Sequence, residues 1–101
     1  MVTAAKPRST SKRLTRAQFR AITKALSDPR RYDILRHIAE QKGCTCVELR
    51  DRSRITAATL SHHLQELEAA GLITIARKGK FALPCFRREV WKTYIAQLSE
   101  L

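Results

Sequence analysis

Thr56 to Ile73 reads TAATLSHHLQELEAAGLI, and the way this stretch must fold decides the architecture. Thr56 is a helix-capping residue type, Ile55 and Leu60 sit where a hydrophobic staple would clamp the cap, and Gly71 supplies a stop. Leu60, Leu64 and Leu67 recur at helical spacing and form one buried stripe. The opposite side of the first turns then faces outward with Thr56, Ala57, Ala58, Thr59, Ser61 and His62. His63, about 100° further round the helix than His62, points into the domain.

The flanking sequence supplies further helix starts. Upstream, Thr45 and Glu48 form a capping box with Cys44 and Leu49 in its staple positions, which predicts a short third helix from about Cys46 to Ser53. A tight turn at about Arg52 to Ile55 then joins it to the fourth helix. Thr15 and Gln18 make another capping box, with Leu14 and Phe19 as staple, for a first helix from about Arg16 to Leu26. Asp28 and Pro29 start a second, which carries Ile34, Leu35 and Ile38 on one face and ends before Gly43.

Beyond Gly71 the periodicity changes. Leu72 to Ala76 and Phe81 to Leu83 are β-prone, and RKGK between them puts Lys78 and Gly79 at the tip of a hairpin whose second strand Pro84 closes. A last helix from about Arg87 carries Val90, Trp91, Tyr94, Ile95 and Leu98, an apolar face wide for a small domain. The order ααααββα, mainly α with a small β-hairpin (α+β), is that of a winged helix-turn-helix. It occupies residues 14–101, behind a flexible basic tail over residues 1–13.

Composition narrows the partner. The chain has 101 residues, enough for one domain, and a net charge of +11 that favours a polyanion. Double-stranded DNA is the first candidate, because the chain lacks an aromatic platform for single-stranded RNA. No apolar run is long enough to span a bilayer and no export signal is legible, so a cytoplasmic protein that avoids membranes is expected. A Gly-rich phosphate loop, paired carboxylates and Cys-x-x-Cys are all missing, so neither an enzyme nor a resident cofactor is expected.

In a winged helix-turn-helix the fourth helix enters the major groove by its N-terminal turns. The outward residues there are small and polar, without the Arg, Asn or Gln side chains that read bases in bidentate fashion. Sequence reading therefore falls partly to DNA shape and to the wing, where Arg77, Lys78 and Lys80 cluster. Arg52 and Arg54 add charge where the fourth helix begins. A winged helix used only as a protein adaptor has no need of cations at these places.

Ala25 to Ile38 (ALSDPRRYDILRHI), Thr56 to Ile73, and Arg77 to Leu83 (RKGKFAL) resemble the ArsR/SmtB family of bacterial winged-helix repressors. The likeness spans about Leu14 to Leu98, and Ser-His-His-Leu followed by Ala-Gly-Leu-Ile is its most specific part. It implies a homodimer joined through the first and last helices, with Phe19, Ile22, Leu26, Val90, Trp91, Tyr94, Ile95 and Leu98 at the interface. It also implies a two-fold operator at a promoter, often released when a ligand binds, and DNA contacts by Ser61 and His62. Many relatives carry glutamine where this chain has Ala57, so their operator sequences do not transfer.

The family's zinc-sensing members place carboxylates and histidines on the last helix, and here it offers only Glu89 and Glu100. Metalloid-sensing members carry Cys-Val-Cys-Asp-Leu in the third helix. Counted back from Leu49, those thiols would fall at Thr45 and Val47, one residue away from Cys44 and Cys46. A different soft-metal or redox site remains conceivable if Cys44, Cys46 and Cys85 converge, with the Cys46 thiolate favoured by the helix dipole. The alternative is structural: Cys44 as a small hydrophobe in a staple.

Overall fold

The helices begin where their caps predict: α1 (Arg16–Leu26), α2 (Pro29–Glu40), α3 (Cys46–Ser53) and α4 (Ala57–Ala69), followed by β1 (Ile73–Lys78), β2 (Phe81–Phe86) and α5 (Arg88–Leu98). The computed structural model describes residues 13–101. Residues 1–12 of the expected tail lie outside them. Arg13, assigned to that tail by its sequence, instead ion-pairs with Glu100, and the Leu14 amide donates to Gln97 Oε1 at 2.7 Å. Together these contacts fasten the start of the domain to the end of α5.

Each cap has a physical origin. The Gln18 amide donates to Thr15 Oγ1 at 3.0 Å, and Asp28 Oδ1 accepts from the Arg30 and Arg31 amides at 2.9 and 3.3 Å. Thr45 and Glu48 close their capping box in both directions, at 3.2 Å to the Glu48 amide and 2.8 Å from the Thr45 amide. Gly71, at φ +82°, ends α4 in a Schellman motif: its amide donates to Glu68 O and the Leu72 amide to Leu67 O. The accompanying apolar contact positions, Leu67 and Leu72, are both fully buried.

Two sequence expectations are corrected. The hairpin is longer than predicted, with Ile73 paired to Phe86 and Lys78 to Phe81, so Gly79 and Lys80 form the tip rather than Lys78 and Gly79. Positive φ at Gly79 alone (+61°) fits a two-residue turn with glycine first. Pro84 lies inside the second strand opposite Ile75 and does not close it, because in a two-stranded ribbon each strand has a free edge that can carry the missing N–H. α3 runs to Ser53 as expected, and in the turn into α4 Arg54 takes the left-handed conformation, at φ 54°. For a residue with a side chain this costs about 1 kcal/mol relative to glycine.

The core collects one stripe from each element. Ile22, Leu49, Leu67, Leu72 and Ile73 are its most completely enclosed large side chains, and Ile34, Leu35, Ile38, Leu60 and Leu64 surround them. Two polar side chains are buried with them. Arg31 reaches from α2 beneath α4, where its Nε donates to His63 Nδ1 at 3.2 Å and its Nη1 to the Ala25 carbonyl at 3.4 Å. Asp28 Oδ2 lies 3.9 Å from Arg31 Nη2, so the residue that caps α2 also steadies the arginine. Partial burial opposes ionisation of Asp28, but the Arg31 and Arg30 amides and the nearby positive charge hold its carboxyl below the usual range.

Burial pushes the His63 imidazole below its ordinary value of 6.5, and Arg31, His62 and Arg30 act in the same direction against Asp28. Protonation would also remove the acceptor that Arg31 uses. With the folded pKa below the unfolded one, the unfolded chain takes up the proton first as pH falls. The contribution of His63 is thus complete above about 6.5 and is lost as pH drops toward its lower folded value. Urea unfolding midpoints are expected to fall as pH drops below about 6.5, and to fall less in His63→Gln, which keeps an acceptor for Arg31 without a titrating ring. Equal slopes for the two proteins would contradict this account.

Candidate nucleic-acid interface

The burial of Leu60, His63, Leu64 and Leu67 fixes the rotation of α4 about its own axis. Thr56, Ala57, Ala58, Ser61 and His62 are consequently exposed, and Thr59 is half-buried. His62 and His63 part as the helical geometry requires, one to solvent and one to the core. Thr56 Oγ1 accepts from the Thr59 amide at 3.1 Å and donates to Thr59 Oγ1 at 2.9 Å. That cap occupies Thr56, so the free hydroxyl proton on this turn is that of Thr59. Beside it the Ala57 and Ala58 methyls and the Ser61 hydroxyl offer small contacts that a groove can accommodate.

The wing adds the charge that this helix lacks. Arg77, Lys78 and Lys80 are all exposed, and successive strand residues point to opposite faces, so the three do not form one row. Ile75 lines a groove with Cys46 and Val47, so the face of the ribbon that it shares with Arg77 turns toward α3, while Lys78 takes the other face and Lys80 the tip. Phe81 is 45% exposed beside the tip, with Lys80 Nζ 5.6 Å from its ring centroid. Sequence reasoning had placed Phe81 only in a strand. Its position at the last pair of the hairpin, next to a lysine, was the available sign.

The α1 and α5 face divides differently from the expected interface. Ile22 is fully buried, and Val90 and Tyr94 are nearly so, because they pack inside the protomer and leave no surface for a partner. The Phe19 and Tyr94 rings stand 4.8 Å apart, and Thr23 and Tyr94 share a hydroxyl hydrogen bond of 2.8 Å. These contacts use up the inner side of α5. Ile95 and Leu98 remain exposed, and Phe19, Leu26 and Trp91 are half-buried. Five of the eight expected residues thus retain apolar surface.

Residues 26–76 match the family model described as a helix-turn-helix domain. An uncharacterized HTH-type transcriptional regulator of Bacillus subtilis (strain 168), YuzN, is 38% identical over 81 residues, which span 74% of this chain and 88% of that protein. Among solved structures, the crystal structure of an ArsR family transcriptional regulator is similar at a TM-score of 0.74 and 24% identity, covering 88% of this chain and 91% of the other. The solution structure of the homodimeric winged helix-turn-helix DNA-binding domain of Mb0332 from Mycobacterium bovis, a possible ArsR-family transcriptional regulator, is similar at 0.70 and 23%, covering 83% and 79%. At these identities the two structures establish the winged-helix fold.

The thiols do not assemble as the sequence allowed. Among the described residues no group of three or more His, Cys, Asp or Glu side chains is placed to hold a metal ion. Cys46 lines an apolar groove between α3, α4 and β1, whereas Cys85 is carried on β2 opposite Thr74, beside the C-terminal end of α2. Burial, with Cys44 beside it, pushes the Cys46 thiol up despite the charge of Arg77, so the expected dipole-stabilised thiolate is not favoured. Burial and Glu48 likewise raise Cys44, against Arg52. Iodoacetamide at about pH 8 is therefore expected to label exposed Cys85 well before Cys44 and Cys46, with the difference abolished by urea. Peptide mass spectrometry would reveal the order, and early labelling of Cys46 would contradict it.

Proposed function

For a chain that belongs to the helix-turn-helix family of transcriptional regulators, we propose the role of a homodimeric repressor that grips a two-fold operator in duplex DNA and blocks a promoter. The observation that carries this reading is the outward turn of α4. It is small, polar and free of apolar bulk, and it stands beside an exposed hairpin bearing Arg77, Lys78 and Lys80. Within an ArsR-type winged-helix fold, α4 enters the major groove with Thr59, Ala57, Ala58, Ser61 and His62 toward the bases, and Thr56 keeps the entering end of the helix intact. Arg54 and the wing cations contact phosphates and an adjacent minor groove. Without a bidentate reader in the first turn, discrimination rests more on groove shape than in relatives with glutamine at this position.

Dimerisation supplies the second half-site, and the exposed apolar residues of α5 favour it. Ile95 and Leu98 are 40% and 38% exposed on one side of the helix, flanked by half-buried Trp91, and a second copy covers such a surface most simply. The ion pair and hydrogen bond that fasten Arg13 and Leu14 to the end of α5 hold α1 and α5 together as one docking face. The Mb0332 domain, described as homodimeric, is a precedent for pairing in this fold.

Two measurements test these statements. Lys78→Ala with Lys80→Ala is expected to weaken duplex binding and to lower the slope of log affinity against log salt by about 1 to 2, and an unchanged slope would remove the wing from the interface. Sedimentation at micromolar concentration is expected to give a dimer that Ile95→Asp with Leu98→Asp converts to a folded monomer. A wild-type monomer would count against the two-fold reading.

A further inference from the structure

Between α2 and the turn that leads into α4 lies a cleft of about 510 Å3. Three arginines from separate places in the chain line it: Arg30 from the first turn of α2, Arg52 from the last turn of α3, and Arg54 from the turn itself. Asp33 is the one carboxylate in the lining. Arg13, Arg31, Arg36, Arg50 and Arg87 each lie within ion-pair distance of an acidic side chain, but among the described residues Arg30, Arg52 and Arg54 do not. Three of the seven arginines without such a partner among the described residues therefore share this one concavity, the other four being Arg16, Arg20, Arg77 and Arg88.

Two further observations fall at the same place. Arg54 holds the left-handed conformation that glycine adopts without strain, so a side chain is retained there against the preference of the backbone. His37, on the same face of α2 as Arg30, has a buried Nε2 with no hydrogen-bond partner in the protein. Such an atom calls for an external acceptor or donor. Guanidinium forks match the geometry of phosphate oxygens, and a cluster with net positive charge compensates a phosphodiester better than it does a neutral ligand.

We propose that this cleft seats a phosphate of the DNA backbone at the edge of the major groove that α4 enters. The inference rests on the DNA-binding reading above and adds Arg30, Arg52 and His37 to it. Ile55 lines the cleft and directly precedes the cap of α4, so an anion held there sits beside the entering turn of the helix. Arg30 and Arg52 supply charge from two elements and Arg54 from the turn before α4, while the His37 ring lies in the same lining. The contact is sequence-neutral: it fixes the depth and register of α4 while the bases are read elsewhere. It also gives each protomer an anchor on the side of α4 served by α2, independent of the wing.

The test compares wild type, Arg30→Ala with Arg52→Ala, Arg30→Lys with Arg52→Lys, and the Lys78→Ala with Lys80→Ala wing pair on a fluorescent duplex of random sequence across a salt series. Removing the two arginines is expected to lower the salt slope by about 1 and to weaken binding at every salt concentration, while the lysine pair keeps most of the slope. If the alanine pair leaves slope and affinity unchanged while the wing pair lowers its own, the cleft assignment is wrong and the DNA reading stands. If wild type does not bind the duplex at all, both fall together. Inorganic phosphate in place of DNA separates the sources of the anion. Saturable shifts of the His37 ring resonances at millimolar phosphate, lost in the alanine pair, would assign the cleft to a free anion and overturn the backbone contact.

Discussion

The fourth helix can bury only one side, and its composition leaves no choice of which. Leu60, Leu64 and Leu67 lie along a single stripe, and removing such a stripe from water contributes several kcal/mol, more than any other interaction available to a helix of this length. Everything outward-facing follows from that constraint. Once the stripe is against the core, Ala57, Ala58, Ser61 and His62 have no side left but the exposed one. The outward composition of α4 is therefore set by burial, before any attraction to a partner acts.

Burial of leucines alone would tolerate some rotation and sliding, because apolar contact is non-directional. The Arg31–His63 hydrogen bond removes that freedom. It joins α2 to the middle of α4 inside the core, and the ladder from Asp28 through Arg31 to His63 ties the rotation of α4 to the junction between α1 and α2. An arginine buried without such partners would be strongly destabilising, so the network is a condition of the packing. It places a histidine that burial keeps neutral at the centre of α4.

Charge is distributed by a different logic. The carboxylates are largely occupied by neighbouring arginines or by helix caps: Glu100 with Arg13, Glu40 with Arg36, Glu89 with Arg87, and Glu48 in its capping box. The cations left over include Arg77, Lys78 and Lys80 on the wing and Arg30, Arg52 and Arg54 around the entry to α4, with others such as Arg16, Arg20 and Lys92 on α1 and α5. The positive field of a net charge of +11 suits encounter with a polyanion and makes that encounter sensitive to salt. The cysteines play no part in this field. Cys44 and Cys46 flank the capping threonine of α3 half-buried, and their raised thiol pKa values agree with a packing role.

What the sequence determined by itself was the helix punctuation, which local rules govern. Caps at Thr15, Asp28, Thr45 and Thr56, the glycine stop at Gly71 and the leucine stripe of α4 all act within a few residues, so the helix order and the outward face of α4 were legible without a structure. Tertiary structure decided what depends on long-range approach. No spacing rule announces that Arg31 pairs with His63 thirty-two residues away, although an arginine in line with Ile34, Leu35 and Ile38 was a sign that α2 buries a charge. Nor does spacing reveal that Ile22, Val90 and Tyr94 are consumed inside the protomer, or that among the described residues Cys44, Cys46 and Cys85 form no metal-holding group. The physical reason is the same in each case. Capping and periodicity are properties of one segment, whereas burial and convergence belong to pairs of segments whose meeting is fixed only when the whole core closes.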